Sequence, residues 1–110
     1  MENIIQQIAE KLIHKILERA YSGGISDIDA LSSDVLGDCR EAAIGIVEAI
    51  TAGLNQQIRD DKERRKAEGL VLKERERERS LLTELGRLDI PRDYYYDREN
   101  DQYVYLLDHV

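Results

Sequence analysis

The chain has 110 residues, 35% of them charged, a formal net charge of −7, one proline, one cysteine, and neither Phe nor Trp. Its longest apolar run is far short of the roughly 20 residues that cross a bilayer, lone Cys39 can form no internal disulfide, and Met1-Glu2-Asn3 lacks the basic flank of a secretory signal. A cytoplasmic protein with no membrane partner is expected, with a core of Ile, Leu, Val, Ala and inward-turned Tyr.

Charge and aromatic content are uneven along the chain. Residues 1–58 hold four Lys/Arg against nine Asp/Glu, residues 59–79 nine against seven, and residues 80–110 three against seven. Five of the six tyrosines fall between Tyr94 and Tyr105. The pattern predicts an acidic helical half over 1–68 and a tyrosine-rich β half over 69–110, joined as one α+β domain.

Apolar pairs at Ile4-Ile5, Ile8-Ala9, Leu12-Ile13, Ile16-Leu17 and Ala20-Tyr21, separated by polar pairs, predict an amphipathic helix over 3–21. A strict period of four overshoots 3.6 residues per turn, so the stripe drifts by roughly 160° over four repeats. Ser22-Gly23-Gly24 is the expected stop. Ser26 and Asp27 are the expected caps of a short connecting helix over 27–33, followed by a second long helix over 34–66. Along the latter, Val35, Leu36, Cys39, Ala43, Ile46, Ile50, Leu54 and Ile58 recur at helical spacing, with Cys39 read as a small buried residue. Ala42, Gly45, Ala49, Ala52 and Gly53 form a neighbouring row of small side chains that admits close approach of another helix. That helix belongs either to the same chain, in a tight core, or to a second copy, in a homodimer.

From Gln56 to Glu68 apolar residues nearly vanish, and Arg59-Asp60-Asp61-Lys62-Glu63-Arg64-Arg65-Lys66 reads as a solvated helix end that Gly69 terminates. Lys73, Arg75, Arg77 and Arg79 then alternate with Glu74, Glu76 and Glu78. Propensity alone favours a helix for such a run. As a strand it places every cation on one face and every carboxylate on the other. The following sequence favours the strand: Gly86 supplies a turn, Arg87 to Tyr96 alternates polar and apolar with Pro91 inside it, and Gln102 to Leu107 is aromatic and β-branched. A three-stranded antiparallel meander results, with strands over 70–80, 86–96 and 102–107 and tyrosines facing one another across the second hairpin.

Leu82-Thr83-Glu84-Leu85-Gly86, Pro91-Arg92-Asp93-Tyr94-Tyr95-Tyr96 and Tyr103-Val104-Tyr105-Leu106-Leu107-Asp108 together resemble the N-terminal region of bacterial insertion-sequence transposases. The resemblance is to the ISLre type, also known as an uncharacterised protein family, and Thr-x-x-Gly followed by Pro-Arg-Asp is similar to the wider Mutator-like group. In detail it covers about a third of the chain. Arg87 departs from the acidic residue usual after the glycine. The resemblance implies a domain for oligomer assembly and terminal-repeat binding in DNA transposition. Its acidic, divalent-metal catalytic core is expected downstream of Val110. No catalytic residue, cofactor, metal ligand or small-molecule substrate is therefore assigned to these residues.

For DNA contact the candidates are Lys73, Arg75, Arg77 and Arg79, with Arg64, Arg65 and Lys66 nearby and Arg92 in a second patch beside Tyr94 and Tyr96. The interleaved carboxylates allow a second reading, a salt-bridged and solvated surface on a purely structural helical dimerisation module. For the helix–helix interface the candidates are Ala42, Gly45, Ala49, Ala52 and Gly53. His14 and His109 have no partners at metal-ligand spacing.

Overall fold

The computed structural model describes residues 2–21 and 27–109. Helix α1 (Glu2–Tyr21) is followed by α2 (Ile28–Asp60) and α3 (Lys62–Ala67). Strands β1 (Leu70–Arg77), β2 (Ser80–Thr83), β3 (Gly86–Asp89), β4 (Arg92–Asp97) and β5 (Gln102–Val104) follow, and a short 3-10 helix, Leu106–His109, closes the order. The α+β class and the three-stranded antiparallel sheet agree with the sequence reading. The expected stop at Ser22-Gly23-Gly24 and cap at Ser26 lie outside the described residues. The expected short helix over 27–33 is instead the first turns of α2. Asp27, extended at φ −154 and ψ 115, caps α2 by accepting from the Asp29 N–H at 2.9 Å, and no glycine or proline separates Ser33 from Asp34. The break comes later, at Asp61, whose side chain accepts from the Arg64 N–H and starts α3.

Helices α1 and α2 run antiparallel as a hairpin. Arg19 grips Asp38 through Nε at 2.6 Å and Nη2 at 3.0 Å, and Lys15 Nζ reaches Glu41 at 2.8 Å. The small row is consumed partly within the chain. Ala42 is buried, and a Cβ added to Gly45 would lie 3.3 Å from Ile8 Cδ1. Cys39, read from the sequence as buried, is exposed. It lies on a row turned away from α1.

Gly69, at φ 72, ends α3 and turns the chain into β1, a conformation that costs glycine no side-chain clash. The two antiparallel pairs β1–β4 and β2–β3 form one long bent hairpin. Register runs from Leu70↔Asp97 to Arg77↔Arg92 and resumes from Ser80↔Asp89 to Thr83↔Gly86, with the Ile90 N–H donating to Arg79 O at 2.9 Å between them. The single strand expected over 86–96 is thus divided where Pro91 supplies no N–H to the ladder. At the tip, Thr83 Oγ1 accepts from the Leu85 N–H and donates to Gly86 O, and Gly86 sits at φ 114. The Thr-x-x-Gly element of the sequence is this turn. Strand β5 pairs with β4 on its other edge, with Tyr96 opposite Tyr103, and ends at Val104 rather than 107 because Leu106 and Leu107 enter the 3-10 helix.

One face of the sheet lies against α2. Its buried apolar residues are Leu70, Leu88, Ile90 and Tyr95, and among them Asp93 is fully enclosed. The Asp93 carboxylate accepts from Arg59 Nε at 2.7 Å and Nη2 at 2.8 Å and from the Glu76 N–H at 2.9 Å, while the Asp93 N–H donates to Asn55 Oδ1 at 3.0 Å. Burial by itself pushes this carboxyl up, but the hydrogen bonds from Arg59 and Glu76 outweigh it and hold the group at about 2. Further out, the Asp89 N–H donates to Glu48 Oε2 at 2.7 Å, fastening β3 to the middle of α2.

Because the folded-state value lies below the ordinary 3.8, the charged Asp93 contributes stability above about pH 4, and that contribution disappears as pH falls toward 2. Asp93→Asn should cost about 3–5 kcal/mol in urea unfolding at pH 7, the penalty for leaving one member of a buried pair unmatched. It should also shrink the acid-side decline between pH 4 and 2, leaving the part owed to Asp38, Glu41 and Asp97, whose carboxyls are also held low. An unchanged urea midpoint in that variant would contradict the role given to the pair.

Candidate nucleic-acid interface

Alternation along β4 decides what faces outward. With Asp93 and Tyr95 turned to α2, Tyr94 and Tyr96 occupy the opposite face, and β5 adds Tyr103 with Tyr105 just beyond it. Tyr94 and Tyr103 stack with centroids 5.1 Å apart and planes 9° from parallel. Tyr105 tilts against Tyr94 at 4.8 Å, and Tyr96 against Tyr103 at 5.2 Å. The four rings form a continuous ladder across the outer face. Tyr103, 57% exposed, is its open rung.

Cations lie over this ladder. The Arg77 guanidinium sits 4.8 Å from the Tyr94 centroid, Lys73 Nζ 5.7 Å from that of Tyr96, and Arg92 3.7 Å from that of Tyr105. Strict alternation would have put Lys73, Arg75, Arg77 and Arg79 together opposite the glutamates. Two register shifts, between Leu72 and Glu74 and between Glu74 and Arg77, interrupt it, and Glu76 takes a positive φ of 50. In consequence Arg77 Nε lies 3.8 Å from Glu74, a neighbour that an unbroken strand would place on the other face. Glu76 turns its N–H inward to Asp93 and brings its carboxylate to 4.0 Å from Arg59.

The candidates read from the sequence therefore divide. Lys73, Arg75 and Arg77 are exposed on β1, Lys73 and Arg77 with their charge held over rings. Arg79 and Arg92 share the Asp108 carboxylate, and Arg92 is nearly enclosed, with a buried Nε that has no hydrogen-bond partner. Arg64 pairs with Glu68 at 3.3 Å. Arg65 points inward: its Nη2 donates to Arg59 O at 2.8 Å, and its guanidinium lies 5.5 Å from the centroid of the buried Tyr95. Lys66 is exposed on α3. Arg64 and Arg65 also line a half-open groove of about 390 Å³ between α2, α3 and the 3-10 helix, with Leu54, Ile58 and Leu106 as its apolar wall.

Two tyrosines titrate abnormally. Burial, with the neighbouring Asp93 charge, pushes the Tyr95 hydroxyl up to about 12. The hydrogen bond that Tyr96 donates to Asp101 raises its hydroxyl above the ordinary tyrosine value. Among the described residues no group of three or more His, Cys, Asp or Glu is placed to hold a metal ion, and no helix is long and apolar enough to cross a membrane.

The buried cluster of Arg59, Asn55 and Asp93 was not singled out from the sequence, where Arg59 reads as the first residue of a solvated helix end. A signal existed. Asn55 interrupts the apolar row at Leu54 and Ile58, and Arg59 follows it four residues later on the same helix face.

A helix hairpin carrying an antiparallel sheet with an outer tyrosine–cation face is the class of domain these features define. The profile of an uncharacterised protein family, UPF0236, matches residues 23–110, and the chain belongs to that family. One UPF0236 protein of Caldanaerobacter subterraneus subsp. tengcongensis is 41% identical over 64 residues, 58% of this chain and 13% of the relative. Another from the same organism, whose name joins eleven locus designations, is 42% identical over 76 residues, 69% of this chain and 14% of the relative. The aligned part thus spans about an eighth of the length of these relatives. No solved structure matches the chain.

Because a stacked aromatic pair is worth about 0.5–1.5 kcal/mol beyond its area and Tyr103 is an exposed rung, Tyr103→Ala should lower stability by no more than about 2 kcal/mol. Thermal melts that show global unfolding of this variant at 25 °C would mean that the ladder is part of the core instead of a surface laid over it.

Proposed function

We propose that this chain is the N-terminal domain of an insertion-sequence transposase of the Mutator-like group, and that the outer face of its sheet meets the terminal-repeat DNA of the element. The observation that carries the DNA reading is the ladder of Tyr94, Tyr96, Tyr103 and Tyr105 with Lys73 and Arg77 above it. Aromatic rings at a duplex surface pack against its sugars, and cations held over them meet its phosphates. Arg75 extends the same strand with a further exposed positive charge. The mobile-element reading is supported by the relative whose single name covers eleven loci of one genome. Many copies of one coding sequence are what self-propagating DNA leaves behind. The strand-transfer chemistry, with its divalent metal, is proposed for the much longer remainder of such proteins.

A second reading, a structural dimerisation module without nucleic-acid contact, is favoured by the internal pairing of Arg79 and Arg92 with Asp108 and of Arg64 with Glu68. Salt dependence separates the two. Affinity for a terminal-repeat duplex, followed by fluorescence anisotropy, should exceed that for random duplex and fall steeply with salt. Lys73→Ala with Arg77→Ala should reduce the slope of log K against log salt by about 2, one phosphate contact for each residue. Equal affinity for both duplexes at every salt concentration would leave only the structural reading.

A further inference from the structure

The α1–α2 hairpin is the part of the molecule with the least cover. The chain extends 63 × 26 × 17 Å, and its accessible surface of 8139 Å² compares with about 6,200 Å² for a compact monomer of the same mass. Helix α1 has no buried residue at all. Four of the chain's exposed large apolar side chains, Ile13, Leu17, Leu36 and Ile50, lie along one flank of the hairpin.

Two seams run along α2. Asp38, Ala42 and Gly45 belong to the first, which faces α1. The second lies about 100° further round the helix. It consists of Leu36, Ala43 and Ile50 at intervals of seven, interleaved with Cys39, Ile46 and Gly53 at the same interval. That is the a/d repeat with which one long helix meets another. Among the described residues nothing covers its outer rungs: Leu36 is 59% exposed, Ile50 38%, and Cys39 is open to solvent. On α1, Ile13 (57% exposed) and Leu17 (44%) turn to the same flank, because the ion pair between Lys15 and Glu41 occupies the opposite one.

We propose that a second copy of this chain docks on this flank, so that two α1–α2 hairpins form a four-helix bundle. The seven-residue seam fits a long helix and not an irregular surface, and a layer of two apolar rows, one from each helix, is half of such a bundle. A hairpin about 30 Å long and two helices wide offers a footprint of about 600 Å² per copy. That approaches the roughly 800 Å² per partner of standard specific interfaces. The interface is distinct from Ala42 and Gly45, which serve the contact with α1, and shares only Gly53 with the row of small residues.

The proposal is independent of DNA contact, since the tyrosine face lies on the sheet. Light scattering on the 110-residue chain should give twice the 12.7 kDa chain mass. Leu36→Asp with Ile46→Asp should weaken self-association about 100-fold or more while circular dichroism stays helical. Ile13→Asp, on the other helix, should act in the same direction. Leu82→Asp, at an 89% exposed apolar position on the β-hairpin, should leave the dimer intact. A monomer in the unmodified chain would overturn the proposal, as would a dimer that survives both flank variants or one that Leu82→Asp dissociates. If dimerisation is lost in the flank variants while the salt-dependent affinity for the terminal repeat persists, the two surfaces act separately. Loss of DNA affinity alone would strike only the functional reading above.

Discussion

A single buried ion pair fixes how the two halves of this chain face each other. With no Phe or Trp to build from, the sheet and α2 bury only a few large apolar side chains between them. The contact is oriented instead by Arg59 and Asp93. Two parallel hydrogen bonds from the guanidinium, a third from the Glu76 N–H and the backbone bond to Asn55 match nearly every polar atom there. A buried charge pair contributes little net stability when complete and costs several kcal/mol when broken. Its effect here is geometric. Asn55 and Arg59 lie four residues apart on one face of α2, so together they admit one register of β4. A slip by a single residue would bury Tyr94 and strand Asp93 in solvent.

The outer face follows from that register. Once Asp93 and Tyr95 are turned inward, Tyr94 and Tyr96 must turn outward, and Tyr103 pairs with Tyr96 across the ladder. The interruptions in β1 then set which cations reach the rings. Had the Lys73–Arg79 segment remained a regular strand, each cation would have stood among cations and each glutamate among glutamates. The two register shifts place Lys73 and Arg77 over aromatic faces and send the Glu76 backbone toward Asp93. A ring holds a cation by its quadrupole without neutralising it, so the Lys73 charge remains available to an anion, while Arg77 divides its charge between the Tyr94 ring and Glu74. Asp108 does the opposite to Arg79 and Arg92. This is how a chain with net charge −7 keeps a local positive surface.

What the sequence disclosed and what it concealed have physical causes. The first helix was legible because four-residue repetition of apolar pairs has no competing interpretation, and the strands because Gly86, Pro91 and the tyrosine alternation punctuate the tail. The continuity of α2 through Ser33 and its break at Asp61 were not legible. The Thr-x-x-Gly element read as a turn became a turn in which both threonine hydrogen bonds and the positive φ of Gly86 take part. The register shifts in β1 were invisible, since no residue in an alternating Lys/Arg–Glu run marks where a ladder slips. Arg59 was hidden for a related reason. Inside a charged run a buried arginine looks like its solvated neighbours, and only its partner 34 residues away distinguishes it. Cys39 was misplaced because one helical stripe was taken for a single face, whereas α2 carries two.

Those two faces bear on how the halves work together. Residues 1–58 are acidic, with nine carboxylates against four basic groups, so the helical hairpin repels a polyanion. In the proposed DNA reading, contact therefore falls outside residues 1–58. In the proposed bundle the hairpins occupy the centre and the two sheets project from it, each with its own tyrosine face, separated by acidic helices instead of merging into one basic surface. Binding to an isolated site would then be weak. A DNA segment with two suitably spaced sites would be held through the effective concentration of the second face once the first is engaged. Acidic helices between the faces would also oppose occupancy of the intervening surface by unrelated duplex, because like-charge repulsion there adds to the cost of any path that bridges the two sheets.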